Sequence, residues 1–212
     1  MELKKGYLIC FEGVEGSGKS TQAKLLYNFV KKKITKKVIL TREPGGTVVA
    51  EKIRNLILEK KLKIHKITEL FLLFAARNEH VVNKIEPFLK KKYLIICDRF
   101  LLSTLAYQHF LHNIEDKFIL FLQNKIYKKI YPDINFIFDI NRKVSRSRIL
   151  SRNKKINKYD HVSLKEFNKV KKGFKILSKT IKHCYFINTK KDINQIQQQL
   201  QKIIVKKINA RY

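Results

Sequence analysis

Gly13-Val14-Glu15-Gly16-Ser17-Gly18-Lys19-Ser20 is the stretch on which the reading of this chain turns. A short apolar run, Tyr7-Leu8-Ile9-Cys10-Phe11, precedes it, and apolar residues at helical spacing follow it: Leu25, Leu26, Phe29 and Val30. Strand, glycine-rich turn and helix in that order, with GxxxxGK[ST] across the turn, make a phosphate-binding loop. Glycine lets the backbone turn so that successive N–H groups face phosphate oxygens. The start of the following helix adds partial positive charge. The pattern puts Lys19 at the β- and γ-phosphates of ATP and the Ser20 hydroxyl at Mg²⁺, inside a cradle of Gly13, Val14, Glu15, Gly16, Ser17 and Gly18.

Working outward, strand and helix patterns alternate along the whole chain. Period and flanking breakers predict strands at residues 7–12, 38–41, 93–97, 134–139 and 185–187. They predict helices at 21–33, 48–58, 68–89, 101–128, 142–151, 164–181 and 193–205, with a polar loop at 153–158. Such alternation predicts an α/β fold, a five-stranded parallel sheet with helices on both faces. No repeat or linker interrupts it, so residues 1–212 are read as a single domain. Ligands of parallel sheets sit at the carboxyl ends of the strands. The glycine-rich turn, Arg42-Glu43, Asp98-Arg99 and Asp139 all fall at predicted strand ends.

Composition narrows the class. With 212 residues and 44 % hydrophobic content, the chain can fill one core and is not disordered by composition. Its most apolar stretch, around residues 70–76, falls far short of the roughly 20 residues a membrane span requires. The run from Tyr7 to Phe11 is too short for a signal peptide and leads into Glu12, so a cytoplasmic protein is expected. Cys10, Cys97 and Cys184 each lie in an apolar run and have neither the number nor the spacing of a disulfide framework or zinc site. The net charge of +30 raises the question of a nucleic-acid partner. Lysine, however, is spread over the whole chain without a nucleic-acid motif. Abundant Ile, Asn, Phe and Tyr, with three Pro and no Trp, match AT-rich codons, so the charge is assigned to genome composition.

Further motifs narrow the reading. Phe11-Glu12-Gly13 opens the loop, and Thr41-Arg42-Glu43-Pro44-Gly45-Gly46-Thr47 follows the second strand. Ala75-Ala76-Arg77, Asp98-Arg99-Phe100 with Ser103-Thr104-Leu105-Ala106-Tyr107-Gln108, and Pro132-Asp133 with Phe138-Asp139 come next, in order. In these segments the chain resembles the bacterial thymidylate kinases (dTMP kinases) over nearly its full length. The resemblance implies a P-loop nucleoside monophosphate kinase fold with a short basic lid at about residues 142–160. It implies the reaction ATP + dTMP → ADP + dTDP with Mg²⁺, in dTTP biosynthesis, by a homodimer. Two phosphate chains must be held together, so arginines should converge from several strand ends.

By that resemblance Arg99, Arg77 and Arg42 hold the acceptor phosphate or base. Glu15 contacts the sugar 3′-hydroxyl with Glu12 beside it, Thr104, Tyr107 and Gln108 line the acceptor site, and Asp98 helps place Mg²⁺. The loop carries no arginine, which implies that a lid arginine supplements Lys19: Arg152 first, then Arg148, one helical turn apart.

Three places depart from the family pattern. Leu73 stands where the family has a phenylalanine that stacks on thymine; either the adjacent Phe74 takes that role or the contact is aliphatic. His109 replaces a glycine. His109 and His112, one turn apart, are read as surface or packing residues for want of a third ligand. Asn157-Lys158-Tyr159-Asp160 keeps only the lid's rough charge pattern. It also spells a guanine signature, but does so in a lysine-rich loop and not after a strand. A kinase for another nucleoside monophosphate or deoxynucleoside, and an ATPase coupled to nucleic acid, are the competing readings.

Overall fold

The computed structural model describes residues 3–126, 130–152 and 158–209. Strand β1 (Tyr7–Gly13) runs through the middle of a five-stranded sheet. The others are β2 (Val38–Arg42), β3 (Leu94–Asp98), β4 (Ile134–Asp139) and β5 (Cys184–Asn188), in the order β2-β3-β1-β4-β5. Every pairing is parallel, as the alternating pattern predicts.

Successive side chains of a strand point to opposite faces, which splits the core in two. Tyr7, Ile9 and Phe11 face α1 (Lys19–Lys33) and α9 (Ile193–Asn209), which supply Ala23, Leu26 and Val30 and, at four-residue spacing, Ile196, Leu200, Ile204 and Ile208. Leu8 and Cys10 face the other layer, where α3 (Lys66–His80) supplies Leu70 and Phe74 and α8 (Leu164–Thr180) supplies Phe167, Val170, Phe174 and Leu177. Each large side chain fully buried this way contributes about 1.5–3 kcal/mol. Cys10 and Cys97 are register partners in the sheet and are fully buried. All three cysteines are free, and Cys184 is only half-buried.

The register sets the strand ends level. Asp98 is opposite both Phe11 and Arg42, and Gly13 is opposite Phe138. The remaining helices are α2 (Val48–Leu58), α4 (Glu86–Lys90), α5 (Leu101–Thr104), α6 (Asp116–Ile126) and α7 (Arg142–Ser151). Thr47 caps α2 and Asn141 caps α7 through side chains that accept from Ala50 and Val144 N–H groups. A capping box of Ser163 and Glu166 starts α8.

Two expected helices differ. The segment expected as one helix at 68–89 contains a π-helical turn, Val81–Ile85, between α3 and α4. The segment expected at 101–128 has a second π-helical turn, Leu105–His109, and then leaves the helix before α6. A π turn adds a residue and shifts the phase of everything after it, so a 3.6-residue period cannot register it. The second turn buries Tyr107 and Gln108 side by side. Of the loop expected at 153–158, residues 153–157 lie outside the described residues; Lys158–His161 is a 3₁₀ turn. Among the described residues no helix is long and apolar enough to cross a membrane.

Candidate active site

The cradle forms where β1 ends and α1 begins. Gly13 has φ 134°, and a Cβ there would sit 2.6 Å from the Phe138 carbonyl oxygen of β4. Gly16 has φ 71°, with the Ser145 carbonyl oxygen equally close. Both glycines are therefore required by conformation and by space. Ser145 Oγ donates to the Glu15 carbonyl at 2.8 Å, tying α7 to the loop. No side chain caps the first turn of α1, so its N–H groups remain directed toward an anion.

Lys19 is 5 % exposed and its Nζ donates to the Val14 carbonyl at 2.7 Å and Ser17 Oγ at 3.2 Å. Burial, reinforced by the charge of Arg99, pushes its pKa down to about 8. Ser20 Oγ donates to Asp98 Oδ2. The other oxygen, Asp98 Oδ1, is buried with no hydrogen-bond partner among the described residues.

Arg99 joins the cradle to the next wall. It sits in the left-handed region at φ 74°, its N–H bonded to the Phe11 carbonyl at 2.9 Å. Nη1 donates to the Gly13 carbonyl and to Ser103 Oγ, both at 2.9 Å, and Nη2 meets Glu15 Oε1 at 2.6 Å. Tyr107 OH donates to the other Glu15 oxygen, and burial followed by the Glu15 charge raises this phenol's pKa so that it stays a donor.

Glu12, expected beside the acceptor, is instead wholly buried; it accepts from Phe100 N–H at 2.8 Å and Ser103 Oγ at 2.5 Å. Its carboxylate shapes the turn after β3 and is absent from the cavity wall, because the end of β1 is enclosed by the chain at Phe100–Ser103.

Arg77 is buried on α3. Its Nε donates to Glu43 Oε2 at 2.6 Å and its Nη2 to Thr104 Oγ1 at 2.8 Å. His80 lies 3.1 Å from Glu43 Oε1 through Nδ1 and 2.7 Å from Thr41 Oγ1 through Nε2. Burial opposes ionisation of Glu43, yet the Arg77 and His80 contacts hold its pKa below the usual range. Gly46 leaves room for this network, since a Cβ there would lie 2.5 Å from the His80 ring. Arg42 is exposed and paired with Glu51 at 2.8 Å.

A cavity of about 550 Å³ lies among these groups. Glu15, Gly16, Gly18, Lys19 and Ser20 line it together with Asp98, Arg99, Arg42, Arg77, Thr104, Tyr107 and Gln108. Gly13, Val14 and Ser17 stand behind the wall. Phe74 is 2 % exposed and packed in the core, so the adjacent Leu73 meets the cavity instead. One residue is 100° of helix, and the apolar period could not tell the two apart.

Arg148 and Arg152 also line the cavity. Arg152 Nη2 pairs with Asp160 Oδ2. The Arg148 guanidinium has no hydrogen-bond or ion-pair partner among the described residues, and its Nη1 lies 3.7 Å from where a Cβ on Gly18 would be. His109 Nδ1 is 2.8 Å from the Ile114 carbonyl, a packing contact.

Sequence reasoning passed over Glu43 and Tyr159 as functional side chains, although both stand in quoted motifs, and gave Arg54 and Glu69 no role. A signal for Arg54 existed: it shares the inward stripe of α2 with Ala50 and Ile57, and its Nη1 bonds the Pro44 carbonyl at 2.9 Å. The others lie 34 to 90 residues from their hydrogen-bond partners and carry no local signal.

The model of one protein family, described as thymidylate kinase, matches residues 11–200. The chain belongs to the thymidylate kinase family. A thymidylate kinase of Wolbachia pipientis wMel is 46 % identical over 167 residues, spanning 78 % of this chain and 82 % of that protein. One from Caldicellulosiruptor saccharolyticus is 37 % identical over 203 residues, 94 % of this chain and 96 % of that one. The crystal structure of thymidylate kinase from Ehrlichia chaffeensis superposes with a TM-score of 0.79 at 32 % identity, covering 94 % of this chain and 99 % of that one. The family and this neighbour agree with the fold: a parallel five-stranded sheet built around a phosphate loop.

Proposed function

We propose that this thymidylate kinase transfers the γ-phosphoryl group of ATP to dTMP, giving ADP and dTDP for nucleotide biosynthesis, within one catalytic domain. The observation that carries the reading is the Glu15–Arg99 pair, which joins the ATP cradle to the wall formed by Arg77, Thr104, Tyr107 and Gln108. A cavity with a phosphate cradle on one element and cations on several others suits two anionic nucleotides.

An oxygen of the acceptor phosphate attacks the γ-phosphorus in line while the bond to the β–γ bridging oxygen breaks and ADP leaves. Such transfer requires positioning and charge neutralisation more than covalent chemistry. Lys19 and the loop N–H groups hold the β- and γ-phosphates. Arg99 clamps the acceptor phosphate, and Arg42 and Arg54 add charge at the same wall. Arg77 reaches the base or the phosphate, with Leu73 as an aliphatic contact. Glu15 accepts from the sugar 3′-hydroxyl; each of its oxygens keeps a second lone pair beside its bond to Arg99 or Tyr107. Arg148 and Arg152 neutralise charge on the group in transfer, Arg148 being the one with no carboxylate partner among the described residues.

Ser20 and Asp98 fit a Mg²⁺ ion: a hydroxyl and a carboxylate already in contact, with one buried carboxylate oxygen unpartnered, are the oxygen donors this ion prefers. When bound, it neutralises phosphate charge.

The exposed Val48 and Val49 on α2 and Phe71 on α3 support a homodimer across these helices. Sedimentation at twice the 25.2 kDa chain mass is expected, and a monomer removes that part. We place the enzyme in the cytoplasm, which fractionation checks.

The central test measures ADP formation from ATP and Mg²⁺ against a panel of nucleoside monophosphates, nucleosides and DNA. Stimulation by dTMP above all others is expected. Stimulation by DNA alone would replace this reading with a nucleic-acid-coupled ATPase.

A further inference from the structure

Glu69 stands in the first turn of α3, 5 % exposed, and its carboxylate gathers side chains from two distant segments. Oε1 accepts from Gln108 Nε2 at 3.0 Å and from Tyr159 OH at 2.6 Å, and Oε2 is paired with Lys158 Nζ. His112 Nε2 lies farther off, at 4.0 Å. Tyr159 also packs edge-on against Tyr107, their ring centres 5.4 Å apart.

The donor and acceptor inventory has a consequence for Gln108. An ionised carboxylate only accepts, so the amide facing it must present its NH₂ group. That leaves the Gln108 carbonyl oxygen turned away from Glu69. This Oε1 has no hydrogen-bond partner among the described residues, and Gln108 is on the cavity wall. An amide otherwise shows either face, and rotation exchanges donor for acceptor. Glu69 removes that choice. Lys158 supplies the counter-charge and Tyr159 a second donor, so the carboxylate is held from behind while Gln108 engages a ligand.

We infer that Glu69 is a specificity-setting positioning residue, which fixes the Gln108 amide so that the acceptor pocket presents a hydrogen-bond acceptor to the base. Thymine carries N3–H, a donor, and meets that oxygen favourably. Cytosine carries a lone pair at N3 and is repelled. Uracil has the same N3–H as thymine, so this device sorts pyrimidines by N3 and is blind to the 5-methyl group. The inference rests on the dTMP reading above.

The test compares kcat/KM for dTMP, dUMP and dCMP in the wild type and in Glu69→Gln. A glutamine at position 69 can donate as well as accept, which frees the Gln108 amide to turn. The dTMP-to-dCMP ratio should fall at least about tenfold, since rejection by an unpaired buried polar group is what is lost. The dTMP-to-dUMP ratio should stay within about twofold, which a general loosening of the pocket would not arrange. An unchanged dTMP-to-dCMP ratio, or equal losses with all three substrates, overturns the inference. Should Glu69→Gln not fold, Lys158→Met combined with Tyr159→Phe decides. It leaves Glu69 and Gln108 facing each other, so discrimination is retained if the inference holds and lost if it does not. A wild type inert toward dTMP but active on another acceptor fails the parent reading, a result distinct from either outcome in the variants.

Discussion

Lys19 and Arg152 both carry positive charge to the cavity, yet they are held in opposite ways. Lys19 is 5 % exposed and enclosed by its own loop, bonded to Val14 and Ser17 a few residues away. The Arg152 side chain is 30 % exposed and is anchored by Asp160, which comes from the turn after α7. The cradle is ordered by backbone geometry and by the burial of β1 between β3 and β4. The α7 wall is ordered by side-chain pairs reaching across the chain. Phosphate is thus gripped by an element that cannot rearrange without unfolding the sheet, while added charge comes from a part-exposed side chain held by a single ion pair. Within that pair the Asp160 carboxylate is buried and only Arg152 reaches solvent.

The sharpest way to break this contrast is to attack each cation. Lys19→Ala should leave no measurable turnover, a loss beyond about 10³-fold, with circular dichroism unchanged. Retained turnover would show that the loop is not the phosphate grip. Arg148→Ala combined with Arg152→Ala should lower kcat by about 10³-fold in stopped-flow assays, with little change in the KM for dTMP. A near-normal rate would remove α7 from the chemistry.

The next test asks whether burial itself separates the two kinds of cation. Glu43→Gln leaves Arg77 buried beside a neutral amide, and losing one partner of a buried pair costs about 3–5 kcal/mol. Calorimetry should find the melting temperature lower by about 10 °C. Asp160→Asn, which releases the half-exposed Arg152, should lower it far less.

The smallest effect is a proton. Burial and Arg99 hold Lys19 near a pKa of about 8, and phosphate oxygens favour its charged form. ATP binding at pH 8 should therefore take up about half a proton, an uptake that fades below pH 7, where Lys19 is already charged. Titration calorimetry in two buffers of different ionisation heat reads this directly, and Lys19→Ala should abolish it.

The same contrast explains what the sequence disclosed. The cradle is contiguous, so Gly13 to Ser20 could be read from eight letters. The sheet was legible because its strands are short, apolar and spaced by helices. The choice between Phe74 and an aliphatic contact at Leu73 stayed open because the period marks a face of a helix and not a single residue. Glu12 was misread as an acceptor contact because nothing local shows that Phe100 and Ser103 fold over it. Glu69 gave no signal, since Gln108 and Tyr159 lie 39 and 90 residues away in sequence.

The level ends of β1, β2 and β3 govern how this chain tolerates changes in length. Asp98 lies opposite Phe11 on one side and Arg42 on the other, so the three loops leave the sheet from one line. One residue inserted within β3 would turn its buried faces inside out and move Arg99 by a step of about 3.3 Å. The chain between the second π turn and α6 has no strand partner to keep in step, but the buried Ile114 ties it to the Gln108 backbone carbonyl at 2.9 Å, so a change of length there would act on the acceptor wall and leave the line of strand ends in place.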